Sequence, residues 1–129
     1  MENLNCIIVD NNEIDRLTVL SFAKRFPNLT IIGSFADSTE ALLAIENNKI
    51  DILFLDIDMP GISGVELRKK ANQVPACIFI TSHPEFAVES FELDTLDFIV
   101  KPLKFDRFEQ TIRRITDFFD IKNKATLFE

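Results

Sequence analysis

Five short apolar runs punctuate the chain, and each gives way to a polar residue or a turn former. They are Leu4 to Val9 (interrupted by Asn5), Leu29 to Ile32, Ile52 to Leu55, Cys77 to Ile80 and Phe98 to Val100. The residues that follow them are Asp10, Gly33, Asp56, Thr81 and Lys101. Runs this short and continuous predict strands buried on both faces, the pattern of a parallel sheet.

The intervening segments predict helices. Asn11 and Asn12 offer caps, and Glu13 and Asp15 supply acids to the first turn of a helix running to about Phe26, ahead of Pro27. Its apolar residues after Thr18 go nearly all round, so no single buried face is defined. Asp37 and Ser38 cap a second helix ending near Asn47-Asn48. Ser63 and Glu66 fit a capping box for a third, short helix that ends in Arg68, Lys69 and Lys70. A fourth is expected from about Pro84 to Leu93. The last, from about 105 to 120, carries an apolar stripe of Phe105, Phe108, Ile112, Ile115 and Phe119 at helical spacing. Ile121 to Glu129 is polar and expected to fray. Five strands alternating with five helices predict an α/β fold, a parallel sheet covered on both faces.

Composition narrows the class. A length of 129 residues suits one domain, and 47% hydrophobic with 27% charged residues suits a globular one. No apolar run approaches the roughly 18 residues of a membrane span, and Met1-Glu2-Asn3 leads straight into a strand. The two cysteines, Cys6 and Cys77, fall in separate strands as small core residues, which suits a reducing, cytoplasmic setting. A net charge of −7 argues against nucleic acid as the main ligand. The acidic excess lies within residues 1–100, which is compatible with a cation site there.

In a parallel sheet the strand ends share one edge, so Asp10, Asp56, Thr81 and Lys101 converge. Adjacent carboxylates repel and need a cation. Lys101 supplies one, and Mg²⁺ suits the remainder, because it takes few carboxylates, keeps waters and accepts phosphate oxygens. No CxxC or histidine cluster favours Zn²⁺. Carboxylates, a hydroxyl, an ammonium and a hard cation suit phosphoryl transfer, with Asp56 as covalent nucleophile.

The motifs IIVDN (7–11), LFLDIDMPGISGVEL (53–67), FITS (79–82) and DFIVKPL (97–103) resemble the receiver domain of bacterial two-component response regulators. The resemblance covers Leu4 to about Asp120. It implies a receiver domain over residues 1–121, with 122–129 beginning a linker or tail, and a doubly wound sheet of flavodoxin-like order 2-1-3-4-5. The wording of SHPEFAVESFELDTLDFIVKP is most similar to receivers that precede LytTR-type DNA-binding domains. The resemblance further implies that Asp56 accepts a phosphoryl group from a sensor histidine kinase, and that Asp10, Asn11, Asp56 and the Asp58 backbone carbonyl hold Mg²⁺. Thr81 and Phe98 would form a switch pair, Asp58 and His83 would tune hydrolysis, and Lys101-Pro102 would be cis. The expected role is signalling, without turnover of a separate substrate.

One position departs from the pattern. The family usually carries two adjacent acids after the first strand, and here the second is Asn11. An amide coordinates a hard cation without charge, and a loss of about 1.4–3 kcal/mol would weaken binding about ten- to a hundredfold. Asn11 therefore motivates an alternative, a receiver-like interaction module that works without phosphorylation. A remoter alternative is a phosphatase of haloacid-dehalogenase type, from Asp56-Ile57-Asp58. Such an enzyme needs an acidic pair on a later strand end, and only one amphipathic helix is expected after Lys101. The resemblance also implies a face made of the fourth helix, fifth strand and fifth helix that pairs two copies of the chain, with Glu85, Glu89, Glu92 and Asp94 opposite Arg107, Arg113 and Arg114.

Overall fold

The structure is a computed structural model that describes residues 3–127. Five strands form one sheet: β1 (Leu4–Val9), β2 (Leu29–Phe35), β3 (Ile52–Leu55), β4 (Ala76–Thr81) and β5 (Asp97–Val100). All pairings are parallel and the spatial order is β2-β1-β3-β4-β5. The helices are α1 (Glu13–Ala23), α2 (Ser38–Asn47), α3 (Gly64–Lys70), α4 (Ala87–Phe91) and α5 (Phe105–Leu127). The expected doubly wound α/β fold is therefore present.

Successive strand residues point to opposite faces, and two cores result. Cys6, Ile8, Phe54, Ile78 and Ile99 pack beneath α1 and α5, against Val19, Ala23, Phe108, Ile112, Ile115 and Phe119. Ile7, Val9, Leu53, Leu55, Cys77 and Phe79 pack beneath α2 and α3, against Ala41, Ile45 and Leu67. The stripe expected on the last helix is the buried face of α5, and Phe105 at its start lies edge-on to Phe22 and stacked on Phe26. Val19 and Ala23 define the buried side of α1. Cys6 and Cys77 are free, buried and on opposite sides of the sheet, and burial pushes both thiols up to about 12.

Several boundaries differ from expectation. β2 does not close at Gly33 but runs to Phe35, because a bulge absorbs one extra residue opposite Cys6 and Ile7 and restores the ladder. Phe35 thereby accepts a hydrogen bond from the Asp10 N–H at 3.0 Å. α1 ends at Ala23, and tighter bonds from Arg25 to Phe22 and from Phe26 to Ala23 carry the chain to Pro27. The fourth helical segment is a 3-10 turn at Pro84–Phe86 followed by the five-residue α4. Beyond its end the Arg68 guanidinium takes the carbonyls of Leu93 and Asp94, and Asp94 adopts a positive φ of 53°.

The fraying expected from Ile121 onward is not seen at residues 122–127. These residues continue α5, whose Ile121–Leu127 stretch lacks glycine and proline and places Lys124 in the last turn, where a cation suits the helix dipole. Positions 128 and 129 lie outside the described residues.

Candidate functional site at the carboxyl edge of the sheet

The register brings the strand ends together. Val9 pairs with Leu55, so Asp10 and Asp56 follow side by side, and the Asp56 N–H donates to the Val9 carbonyl at 2.9 Å. Thr81 pairs with Val100, and the Lys101 N–H donates to the Thr81 carbonyl at 2.8 Å. Lys101 then reaches back across the edge. Its Nζ lies 2.8 Å from Asp10 Oδ2 and 3.1 Å from Asp56 Oδ2.

Both carboxylates are oriented twice. Asp10 Oδ1 accepts from the Asn12 N–H at 2.9 Å, and Asp56 Oδ1 accepts from the Ile57 N–H at 2.7 Å. Asp10 and Asp56 are almost fully buried, so desolvation makes the missing charge balance costly. Burial raises the Asp10 pKa, the negative charge of Asp56 adds to that, and together they outweigh the Lys101 and Asn12 hydrogen bonds. Burial alone would lower the Lys101 pKa, but the Asp10 and Asp15 hydrogen bonds and the charges of Asp10 and Asp56 outweigh it, so the ammonium is held above its ordinary value.

Two further residues belong to this edge, neither of them carrying a sequence signal that ties it to the site. Asp15, in the first turn of α1, places Oδ2 2.8 Å from Lys101 Nζ. Arg16 donates from Nη1 to the Asp10 carbonyl at 2.7 Å, fastening α1 to the end of β1. Only their proximity to the Asn12 cap, whose side chain accepts from the Asp15 N–H, could have hinted at this.

The remaining expected residues are spread around the rim. Thr81 is fully buried and its Oγ1 accepts from the His83 N–H at 3.3 Å. His83 bridges two acids, with Nε2 3.0 Å from Asp58 Oδ2 and Nδ1 3.1 Å from Glu85 Oε1. The Glu85 hydrogen bond, with the charges of Glu85 and Asp58, raises its pKa above the ordinary 6.5. Phe98 is half-buried, one strand over from Phe79, with ring centroids 6.4 Å apart. Asn11 stands exposed between Asp10 and the Asn12 cap. The Lys101-Pro102 peptide is cis.

The loop after β3 closes tightly over the site. The Gly64 N–H donates to the Ile57 carbonyl at 2.9 Å, and a Cβ at Gly64 would collide with the Asp56 carbonyl. Glycine is required there by this close approach. Ser63 caps α3 by accepting from the Glu66 N–H, as the capping-box spacing predicts.

The donor set can be weighed against Mg²⁺. Among the described residues no group of three or more His, Cys, Asp or Glu could hold a metal by itself. The expected donors, two fixed carboxylates, an amide and a backbone carbonyl, are all oxygens with few charges, a chemistry that fits Mg²⁺ completing its shell with water.

Beyond the edge, Asp97 at the start of β5 is buried and clamped. Arg107 reaches Oδ1 and Oδ2 at 2.9 and 3.0 Å, Arg114 reaches Oδ1 at 2.9 Å, and the Thr111 hydroxyl donates to Oδ2 at 2.7 Å. This network ties β5 to α5 and was not legible in the motifs.

Comparison with known proteins agrees with this geometry. Protein MrkE of Klebsiella pneumoniae is 32% identical over 127 residues, 96% of this chain and 47% of that protein. The transcriptional regulatory protein YpdB of Escherichia coli K12 is 31% identical over 115 residues, 87% of this chain and 47% of that protein. The chain thus spans about half the length of the curated relatives it matches. The crystal structure of the response regulatory domain of K. pneumoniae MrkE superposes with a TM-score of 0.83 at 32% identity, covering 88% of this chain and 96% of that one. Residues 6–113 match the response regulator receiver domain, and the chain belongs to that family.

Proposed function

We propose that this receiver domain accepts a phosphoryl group on Asp56 from a phosphohistidine of a sensor kinase and passes the change to an output domain or partner. The observation that carries this is the convergence of Asp10, Asp56 and Lys101 on one buried edge. In the transfer, an Asp56 carboxylate oxygen attacks phosphorus, a P–O bond forms, and the P–N bond to the donor imidazole breaks, returning the electron pair to the ring. Lys101 pairs with one oxygen of the transferred group and the Thr81 hydroxyl hydrogen-bonds another. Asp10, Asn11, Asp56 and the Asp58 carbonyl would hold Mg²⁺. When bound, that ion neutralises charge on the phosphoryl oxygens.

Phosphorylation adds about −1.5 to −2 charge at Asp56. The state that better accommodates it gains population, and Thr81 with Phe98 is the pair proposed to report it. Asp58 and His83, joined at the rim, are proposed to govern water's approach to the acyl phosphate. The face formed by α4, β5 and α5 is proposed to pair two copies. The similarity to a transcriptional regulatory protein of about twice this length supports an output domain, and the LytTR-like wording of residues 82–102 supports one that would bind DNA while this domain does not. A cytoplasmic setting follows from that role.

Incubation with Mg²⁺ and a small acyl phosphate, read by intact mass, tests the reading. The wild-type chain gains one phosphoryl group and Asp56→Ala gains none. Asn11 supports a second reading, an interaction module independent of phosphorylation. Partner binding that is equally strong in Asp56→Ala would favour it, and strict dependence on Asp56 would exclude it.

A further inference from the structure

We propose that Asp15 is a positioning residue for Lys101, a releasable third seat that sets how readily the ammonium turns to a phosphoryl group on Asp56. The proposal rests on the reading of Asp56 as phosphoacceptor. An ammonium has three N–H donors, and Lys101 spends them on three different carboxylates, at 2.8, 2.8 and 3.1 Å. A new acceptor on Asp56 must therefore displace one of them.

The three carboxylates are not equivalent. The side chains of Asp10 and Asp56 are 4% and 8% exposed, whereas that of Asp15 is 38% exposed. Released from Lys101, Asp15 regains water, while Asp10 or Asp56 would be left buried and unpaired. Asp15 is thus the partner that yields. Beside it lies a cleft of about 100 Å³ lined by Asp15, Thr18, Val19, Ile80, Lys101 and Pro102, which leaves the lysine head room on the α1 side. The backbone of Asp15 is fixed by the Asn12 cap, so the seat stays in place when empty.

Asp15 also adds negative charge next to a site where Asn11 contributes none. That charge attracts a divalent cation and repels an incoming phosphoryl dianion. Its removal therefore moves the two affinities in opposite directions, which loss of a merely structural ion pair does not.

The experiment compares the full chain with Asp15→Asn, Asp15→Ala and Asp15→Glu. Mg²⁺ affinity is measured by titration calorimetry on the unphosphorylated protein. The rate of phosphorylation by acetyl phosphate is measured by intact mass, with Mg²⁺ saturating for each variant, and thermal unfolding is followed in parallel. Asp15→Asn and Asp15→Ala should bind Mg²⁺ about three- to tenfold more weakly yet be phosphorylated about three- to tenfold faster, and Asp15→Glu should restore both values. Unchanged affinity and rate, or changes of the same sign, overturn the proposal and leave a structural tie. A wild-type chain that gains no phosphoryl group overturns the reading of Asp56 itself.

Discussion

Lys101 Nζ lies 3.1 Å from Asp56 Oδ2 across 45 residues of sequence, and the lysine side chain is only 9% exposed. The ammonium is the sole cation seen on the two buried carboxylates among the described residues, so its loss leaves like charges facing each other. Lys101→Ala should cost about 3 kcal/mol of stability at neutral pH, the usual scale for breaking a buried pair. Part of that loss should be recovered by millimolar Mg²⁺. Chemical denaturation with and without the ion measures both effects.

Asp97 gives the pH prediction. Burial works against its ionisation, but the Arg107 and Thr111 hydrogen bonds and the Arg107 charge outweigh it and hold the carboxyl below its ordinary value. A lowered folded pKa contributes stability that is present above the unfolded value of about 3.9 and lost as pH falls through the folded one. Asp97→Ala should therefore be less stable than the wild type by about 2–3 kcal/mol at pH 7, with the gap constant down to about pH 4 and closing below it. Denaturation curves over that range would show a constant gap at all pH values if the clamp were not ionic.

Gly64→Ala should strike the site through its backbone. The added methyl would stand 2.8 Å from Ile57 Cα and collide with the Asp56 carbonyl, so the loop after β3 must move. A destabilisation of about 1–3 kcal/mol is expected, together with slower phosphorylation of Asp56. Gly61→Ala, where space is open but φ is +76°, should cost about 1 kcal/mol and leave Asp56 unmoved. Thermal unfolding and the phosphorylation rate separate the two cases.

Much of this site was legible because its backbone signals are local. Continuous apolar runs ending in Asp10 and Asp56 marked β1 and β3, and Asp37 and Ser63 announced their helices as caps. The convergence of Asp10, Asp56 and Lys101 followed once parallel strands were assumed. Asp15 was read as a helix-terminus acid, since nothing near it in sequence points to Lys101, 86 residues on. Arg68 looked like a basic residue suiting a helix end, yet it is buried and holds the carbonyls of Ala71, Val74, Leu93 and Asp94. Asp97 was hidden for the same reason, because its partners lie 10 to 17 residues away on another element. The bulge in β2 has no local sequence signal, because it depends on the register with β1, which Gly33 alone does not specify.

The central claim is that Asp56 carries the phosphoryl group, and one measurement addresses that residue directly. Borohydride reduces an aspartyl phosphate to homoserine and leaves a free aspartate unchanged. After incubation with Mg²⁺ and acetyl phosphate, reduction and peptide mapping, homoserine should appear at position 56 and at no other aspartate. Aspartate retained at position 56 in a chain that has gained phosphoryl mass, or homoserine at another position, would contradict the account.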